Sequence, residues 1–268
     1  MAVITISRGS YSRGKEVAEL IARRLGYECI AREILLEASE DFNIPAAKLL
    51  QAISDAPSMF ARYAYGKERY VAFIQAALLK RVQKNNVVYH GFAGHFFLKG
   101  VSHVLKVRII ADLEDRIKIV MDQEKISRKE AIRFLENIDE ERLKWGKFLY
   151  GVNTRNPSLY DLVINVKSLS VEDAADIICY TAGMKRFETT QASQSAMDDL
   201  VLSALAKVSI IDLKPDAEVS AEKGVIYVSV KAPADAKEEM ALEIAKLVST
   251  VPGVIDVKVQ VIPGMPVE

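Results

Sequence analysis

Gly9 and Gly14 are followed directly by Lys15, so the run Ser7-Arg-Gly-Ser-Tyr-Ser-Arg-Gly-Lys15 holds the spacing G-x-x-x-x-G-K. A loop of this kind binds phosphate. Its glycines permit the backbone torsions that bring amides close, a helix start behind it adds partial positive charge, and the lysine bridges the outer phosphates. The residues expected around the phosphates are Gly9, Ser10, Ser12, Arg13, Gly14, Lys15 and Glu16. Where such loops place Ser or Thr for magnesium, this chain has Glu16. A carboxylate there either reaches the metal, directly or through water, or weakens triphosphate binding by its charge.

The loop needs a strand before it and a helix behind it. Val3 to Ile6 reads as the strand, and from Glu16 to Leu25 the residues Val17, Leu20, Ile21 and Leu25 fall on one helical face. Further β-rich runs at Val87 to Tyr89, Leu105 to Ala111 and Leu162 to Val166 alternate with longer helical stretches. That alternation predicts an α/β fold, a parallel sheet flanked by helices. Two helices carry start signals: Ser127 with Glu130, opening a long helix towards Tyr150, and Ser170 with Glu172 and Asp173.

Net charge is zero over 268 residues, but residues 1 to 190 carry 29 Lys and Arg against 24 Asp and Glu, and the remainder carries 7 against 12. A basic first part suits an anion-binding domain joined to an acidic second one, and nothing points to nucleic acid. Cys29 and Cys179 form neither a disulfide framework nor a metal-ligand pattern. There is no apolar run of membrane-spanning length and no basic start at Met1, which leads to an expected place in the cytoplasm.

The uncharged polar stretch after Phe187 reads as a flexible linker, giving domains at 1–186 and 198–263 with a linker at 187–197. Beyond it, Met197 to Val208 and Lys237 to Val248 are expected as helices and Glu218 to Ala221, Val225 to Val230 and Val254 to Val261 as strands, an αββαβ unit.

Ile4-Thr-Ile-Ser-Arg8, Gly14-Lys-Glu-Val-Ala18, Gly26-Tyr27, Arg32-Glu33, Gly91 to His95 and Tyr160-Asp-Leu-Val-Ile-Asn165 resemble, in order and distance, the cytidylate-kinase-like family of P-loop kinases over about residues 3 to 183. The resemblance implies a helical lid, ATP and Mg2+ as cofactors, and a small phosphate acceptor. It implies Arg32, Gly91 and His95 at the acceptor, with Arg62 as a further candidate, and Arg155 and Asn156 near the adenine. By the resemblance Arg116 begins the helix leading to the lid and Arg142 corresponds to the lid arginine, with Arg133, Lys144 and Lys147 as weaker candidates, so Lys15, Arg116 and Arg142 are the expected catalytic set. The chain departs from the family pattern at Ala31 and Phe92, both near the acceptor.

Residues Asp198 to Ile262 resemble a BON domain, most clearly in Val251-Pro-Gly-Val-Ile-Asp-Val257, which implies a binding module for a protein or small ligand. The expected function is ATP-dependent phosphoryl transfer to a nucleoside monophosphate such as CMP. The alternative is a nucleotide sensor or regulatory scaffold without turnover, signalling through the C-terminal module.

Overall fold

The structure, a computed structural model, describes residues 2–31, 33–42, 66–91 and 94–263. Strands β1 (Val3–Arg8), β2 (Glu28–Ile30), β3 (Val87–His90), β4 (Val104–Ile110) and β5 (Leu162–Asn165) form a parallel sheet in the order β2-β3-β1-β4-β5. β1 lies at its centre. Val3, Ile4 and Ile6 are buried there, which explains an apolar run with little alternation: a parallel strand is covered on both faces. Strand β2 is only three residues long and half exposed, too short for a periodic signal.

Helix α1 (Gly14–Leu25) covers one face and packs on α6 (Val171–Ala182), with Val17, Ile21, Ala174 and Ile178 in one core. Helices α4 (Leu113–Glu124) and α5 (Arg128–Tyr150) pack together around Ile117, Val120, Ala131 and Leu135. Both expected helix starts are complete capping boxes, Ser127 with Glu130 and Ser170 with Asp173. Each satisfies two backbone donors that the first helical turn leaves open.

The chain divides into two compact units. The sheet, α1 and α4 to α6 belong to the first; most of α2 (Glu33–Asp41) and all of α3 (Gly66–Val82) group with the residues from 191 onward. The reading of 187–197 as a flexible linker is corrected here. Lys185–Phe187 is a 3-10 turn and α7 (Gln191–Ser209) already runs through the polar stretch. Buried Ser193 and Met197 give the helix its packing, and Gln194 Nε2 donates to the Gln83 carbonyl at 3.3 Å and to Asp198 at 3.0 Å. Within the second unit α3 packs along α7, with Arg69 and Asp212 paired at 3.1 Å.

The expected αββαβ order is present: α7, β6 (Glu218–Glu222), β7 (Val225–Ala232), α8 (Lys237–Val248) and β8 (Asp256–Pro263). β7 runs antiparallel to β6 and parallel to β8. Lys223 and Gly224, at φ 50° and 85°, close the β6–β7 hairpin, the left-handed pair that suits a two-residue turn between twisted strands. Ile226, Val228 and Val230 face a core shared with Ile210, Ile244 and Val248. Among the described residues no helix is long and apolar enough to cross a membrane.

Candidate functional site

The glycine loop leaves the C-terminal end of β1, where a parallel sheet opens its crevice. Gly9 N–H donates to the Ile109 carbonyl at 3.0 Å, and the buried Ser12 hydroxyl donates to the Gly9 and Ile109 carbonyls at 2.9 and 3.2 Å. These bonds tie the loop to β4. The positive backbone torsions fall on Tyr11 (φ 54°) and Arg13 (φ 59°), not on the glycines to which the motif assigns them. Such torsions cost a non-glycine residue about 1 kcal/mol or more, and that strain is typical of sites where function overrides local preference.

Gly14 serves by closeness instead. A Cβ there would lie 2.7 Å from the Arg8 Cβ, so α1 and the end of β1 approach only across a glycine. Gly14→Ala is therefore expected to lower Tm by several degrees and to weaken ATP binding about tenfold or more, read by thermal melting and calorimetry. Unchanged ATP affinity would mean that the loop tolerates this displacement.

Lys15 stands in the first turn of α1, 62% exposed, with its ammonium 3.6 Å from Glu19. It lines a cavity of about 1180 Å³ with Arg13, Lys118, Lys167 and Ser170. Glu16 is held by Arg13, whose Nη2 donates to it at 2.6 Å and whose Nε lies at 3.1 and 3.2 Å. To ligate magnesium, Glu16 would first have to give up this two-pronged pairing. Among the described residues no group of three His, Cys, Asp or Glu comes together to hold a metal.

A second cavity, of about 600 Å³, is lined by Ser7, His90, Gly91, Arg108, Tyr150 and Arg155 among others. Arg8 and Arg142 line both cavities, and Arg142 Nη1 donates to the Arg8 carbonyl at 3.1 Å. Arg116 and Asp139 line the smaller one and pair at 2.8 Å. Arg116 also donates to the Ser10 carbonyl at 2.8 Å and to the Ser10 hydroxyl at 2.5 Å, while that hydroxyl donates to Asp139. Ser10 is thus clamped between α4 and α5.

Most of the expected loop residues assemble, but the acceptor and adenine residues do not all fall where the resemblance implies. Arg32, Arg62 and Phe92 lie outside the described residues, whereas Gly91 and Ala31 line the smaller cavity. His95 is 3% exposed and lines neither cavity; its ring packs 5.0 Å from that of Tyr160. Burial, with Lys106 and Arg108 nearby, pushes its pKa down to about 3, so it carries no charge to offer a phosphate. Arg155 lines the smaller cavity, apart from Lys15, and Asn156 instead caps the 3-10 turn Pro157–Leu159, accepting from Ser158 N–H at 3.0 Å. Of the weaker lid candidates, Lys144 pairs with Glu140 at 2.8 Å.

Asp139 and Arg108 line the smaller cavity and were not singled out by the motif reading; Arg8, part of the run Ile4-Thr-Ile-Ser-Arg8, lines it too but was assigned no role. Arg108 had a signal, since Lys106 and Arg108 alternate with apolar residues in a strand whose neighbours are otherwise apolar. Asp139 had none, because its partners lie 129 and 23 residues away.

A phosphate loop on the central strand of a parallel sheet, with a helical pair carrying arginines beside it, defines the P-loop kinase class of α/β proteins. The sequence profile of the cytidylate kinase-like family matches residues 3–168, and the chain belongs to that family. It is 29% identical over 193 residues to a cytidylate kinase of Archaeoglobus fulgidus, covering 70% of this chain and 98% of that one. It is 26% identical over 189 residues to a cytidylate kinase of Pyrobaculum neutrophilum, covering 69% and 97%. A crystal structure of an uncharacterized protein from Eubacterium ventriosum shares the fold, with TM-score 0.54 and 19% identity over 69% of this chain and all of that one. Family membership supports nucleotide-dependent phosphoryl transfer.

Proposed function

We propose that the chain transfers the γ-phosphoryl group of ATP to a nucleoside monophosphate, CMP being the acceptor. The observation that carries this reading is that Arg8 and Arg142 line both cavities. A donor held at Lys15 and an acceptor in the smaller cavity then meet between two guanidiniums. Phosphoryl transfer asks little covalent chemistry of a protein and much positive charge around the moving group, which this placement supplies.

Lys15 and the loop amides would hold the triphosphate, and Arg142 would stabilise charge developing in transfer. Mg2+ enters only as the ion that ATP carries on its phosphates, with no side chain assigned to it. The cytidylate kinases among the relatives make CMP the first acceptor to try. The C-terminal αββαβ unit is read as a module for a protein or small-ligand partner.

The test is ADP release with ATP and Mg2+, with and without CMP, UMP, AMP and GMP, beside calorimetry of ATP. Release stimulated by CMP at least tenfold over the acceptor-free rate is expected. ATP binding without stimulation by any monophosphate would sink the acceptor reading, and no ATP binding would sink the kinase.

A further inference from the structure

Arg108 is half-buried on the sheet and has no carboxylate partner among the described residues. Its Nη1 donates to the Ser7 hydroxyl at 3.1 Å and to the Tyr160 hydroxyl at 3.4 Å, both neutral. The acids nearby are already engaged: Asp139 by Arg116 and Ser10, and Asp161 by the Lys106 backbone N–H at 2.8 Å. A half-buried guanidinium with neutral partners is an incomplete arrangement. Removing it from water costs free energy that an anion arriving in the cavity would recover.

The guanidinium is also held in place. Ser7, Arg108 and Val163 are paired in register across β1, β4 and β5, and all three line the smaller cavity as its floor. The Arg108 guanidinium lies 5.6 Å from the Tyr160 ring centroid, and Tyr160 rests in turn against buried His95 at 5.0 Å. The Tyr160 hydroxyl donates to the Thr154 carbonyl at 2.8 Å, which fixes the ring. Strand, aromatic wall and hydroxyls thus preorganise a fork of donors on the cavity floor. The floor row sits one residue before Arg8, which like Arg142 lines both cavities.

We propose that Arg108 is a specificity-determining residue whose guanidinium binds the phosphate that the acceptor already carries, so that a nucleoside monophosphate is chosen over the unphosphorylated nucleoside. This rests on the acceptor reading above. Arginine suits the role because its planar fork meets two phosphate oxygens at once, which a lysine ammonium does not.

The test is equilibrium titration of CMP and of cytidine into wild type, Arg108→Gln and Arg108→Lys, with KM for CMP and for ATP measured on the same samples. Wild type is expected to bind CMP at least tenfold more tightly than cytidine. Arg108→Gln should weaken CMP about 10- to 100-fold, raise KM for CMP alike, and leave cytidine binding and KM for ATP within twofold. Arg108→Lys should fall between them, and its melting temperature, with the unchanged KM for ATP, reports that the fold is intact.

CMP binding unchanged in Arg108→Gln would overturn the proposal while the kinase reading stood. An equal loss for CMP and cytidine would overturn it too, since the contact would then be to base or sugar. Wild type that binds no CMP would overturn both readings together.

Discussion

Lys15→Ala is expected to lower kcat/KM for ATP by a factor of about 100 to 1000 while leaving the melting temperature nearly unchanged. The two halves of that expectation come from one fact, that the Lys15 side chain is 62% exposed and meets Glu19 only at 3.6 Å. An exposed pair at that distance contributes at most about 1 kcal/mol, so truncation removes little from the fold. Two other cations at the mouth are more tightly held: Arg13 by Glu16 at 2.6 Å, and Lys167 by Asp112. Lys15, in the first turn of α1, therefore has less to give up than either when a phosphate arrives, and the helix start adds its own field. Calorimetry of ATP should show the binding part of the loss and single-turnover kinetics the remainder. Turnover within threefold of wild type would mean that this loop does not cradle the donor.

What could be read in the sequence, and what could not, divides by the range of the interaction. The strand, loop and helix around Lys15 were legible because each is specified by neighbours in the chain: an apolar run, two glycines, an amphipathic face. The capping boxes at Ser127 and Ser170 were legible for the same reason, since their partners lie three residues away. Strand β2 was not, because three residues carry no period. Helix α7 was misread at its start because Gln191 to Ser195 looks like linker composition, and only Ser193 and Met197, buried in the packed unit, show that it is not.

The site divides in the same way. A motif names residues but not torsions: the left-handed positions fall on Tyr11 and Arg13, while Gly14 is demanded by the approach of Arg8. His95 was assigned to the acceptor only through the resemblance of Gly91 to His95 to the family's glycine segment. Its actual surroundings, Phe96, Tyr160 and two cations, keep it neutral and behind the wall. The floor row Ser7, Arg108 and Val163 depends on strand register, which one-dimensional spacing does not contain.

The resemblance put Arg116 at the start of the helix leading to the lid and Arg142 on the lid, both in the catalytic set, and the geometry gives them different surroundings. Arg116 is 12% exposed and occupied by Asp139 and by both oxygens of Ser10, so its first effect is to hold the loop against α4 and α5. Arg142 reaches both cavities, its guanidinium donating at 3.1 Å to the carbonyl of Arg8. A group so placed can follow charge as it moves from donor to acceptor, an interaction stronger in the transition state than before it. Arg142→Ala is therefore expected to lower kcat about 1000-fold, the lower end of what a transferring-group arginine contributes, while KM for ATP and for CMP changes less than tenfold. Arg142→Lys should recover only part of the loss, because an ammonium cannot span two oxygens in the plane of the fork. Steady-state kinetics with ATP and CMP varied in turn decide it. A loss confined to KM would make Arg142 a binding residue for ground-state phosphate, and kcat within threefold of wild type would remove it from the transfer step and leave Arg8 as the guanidinium shared by the two cavities.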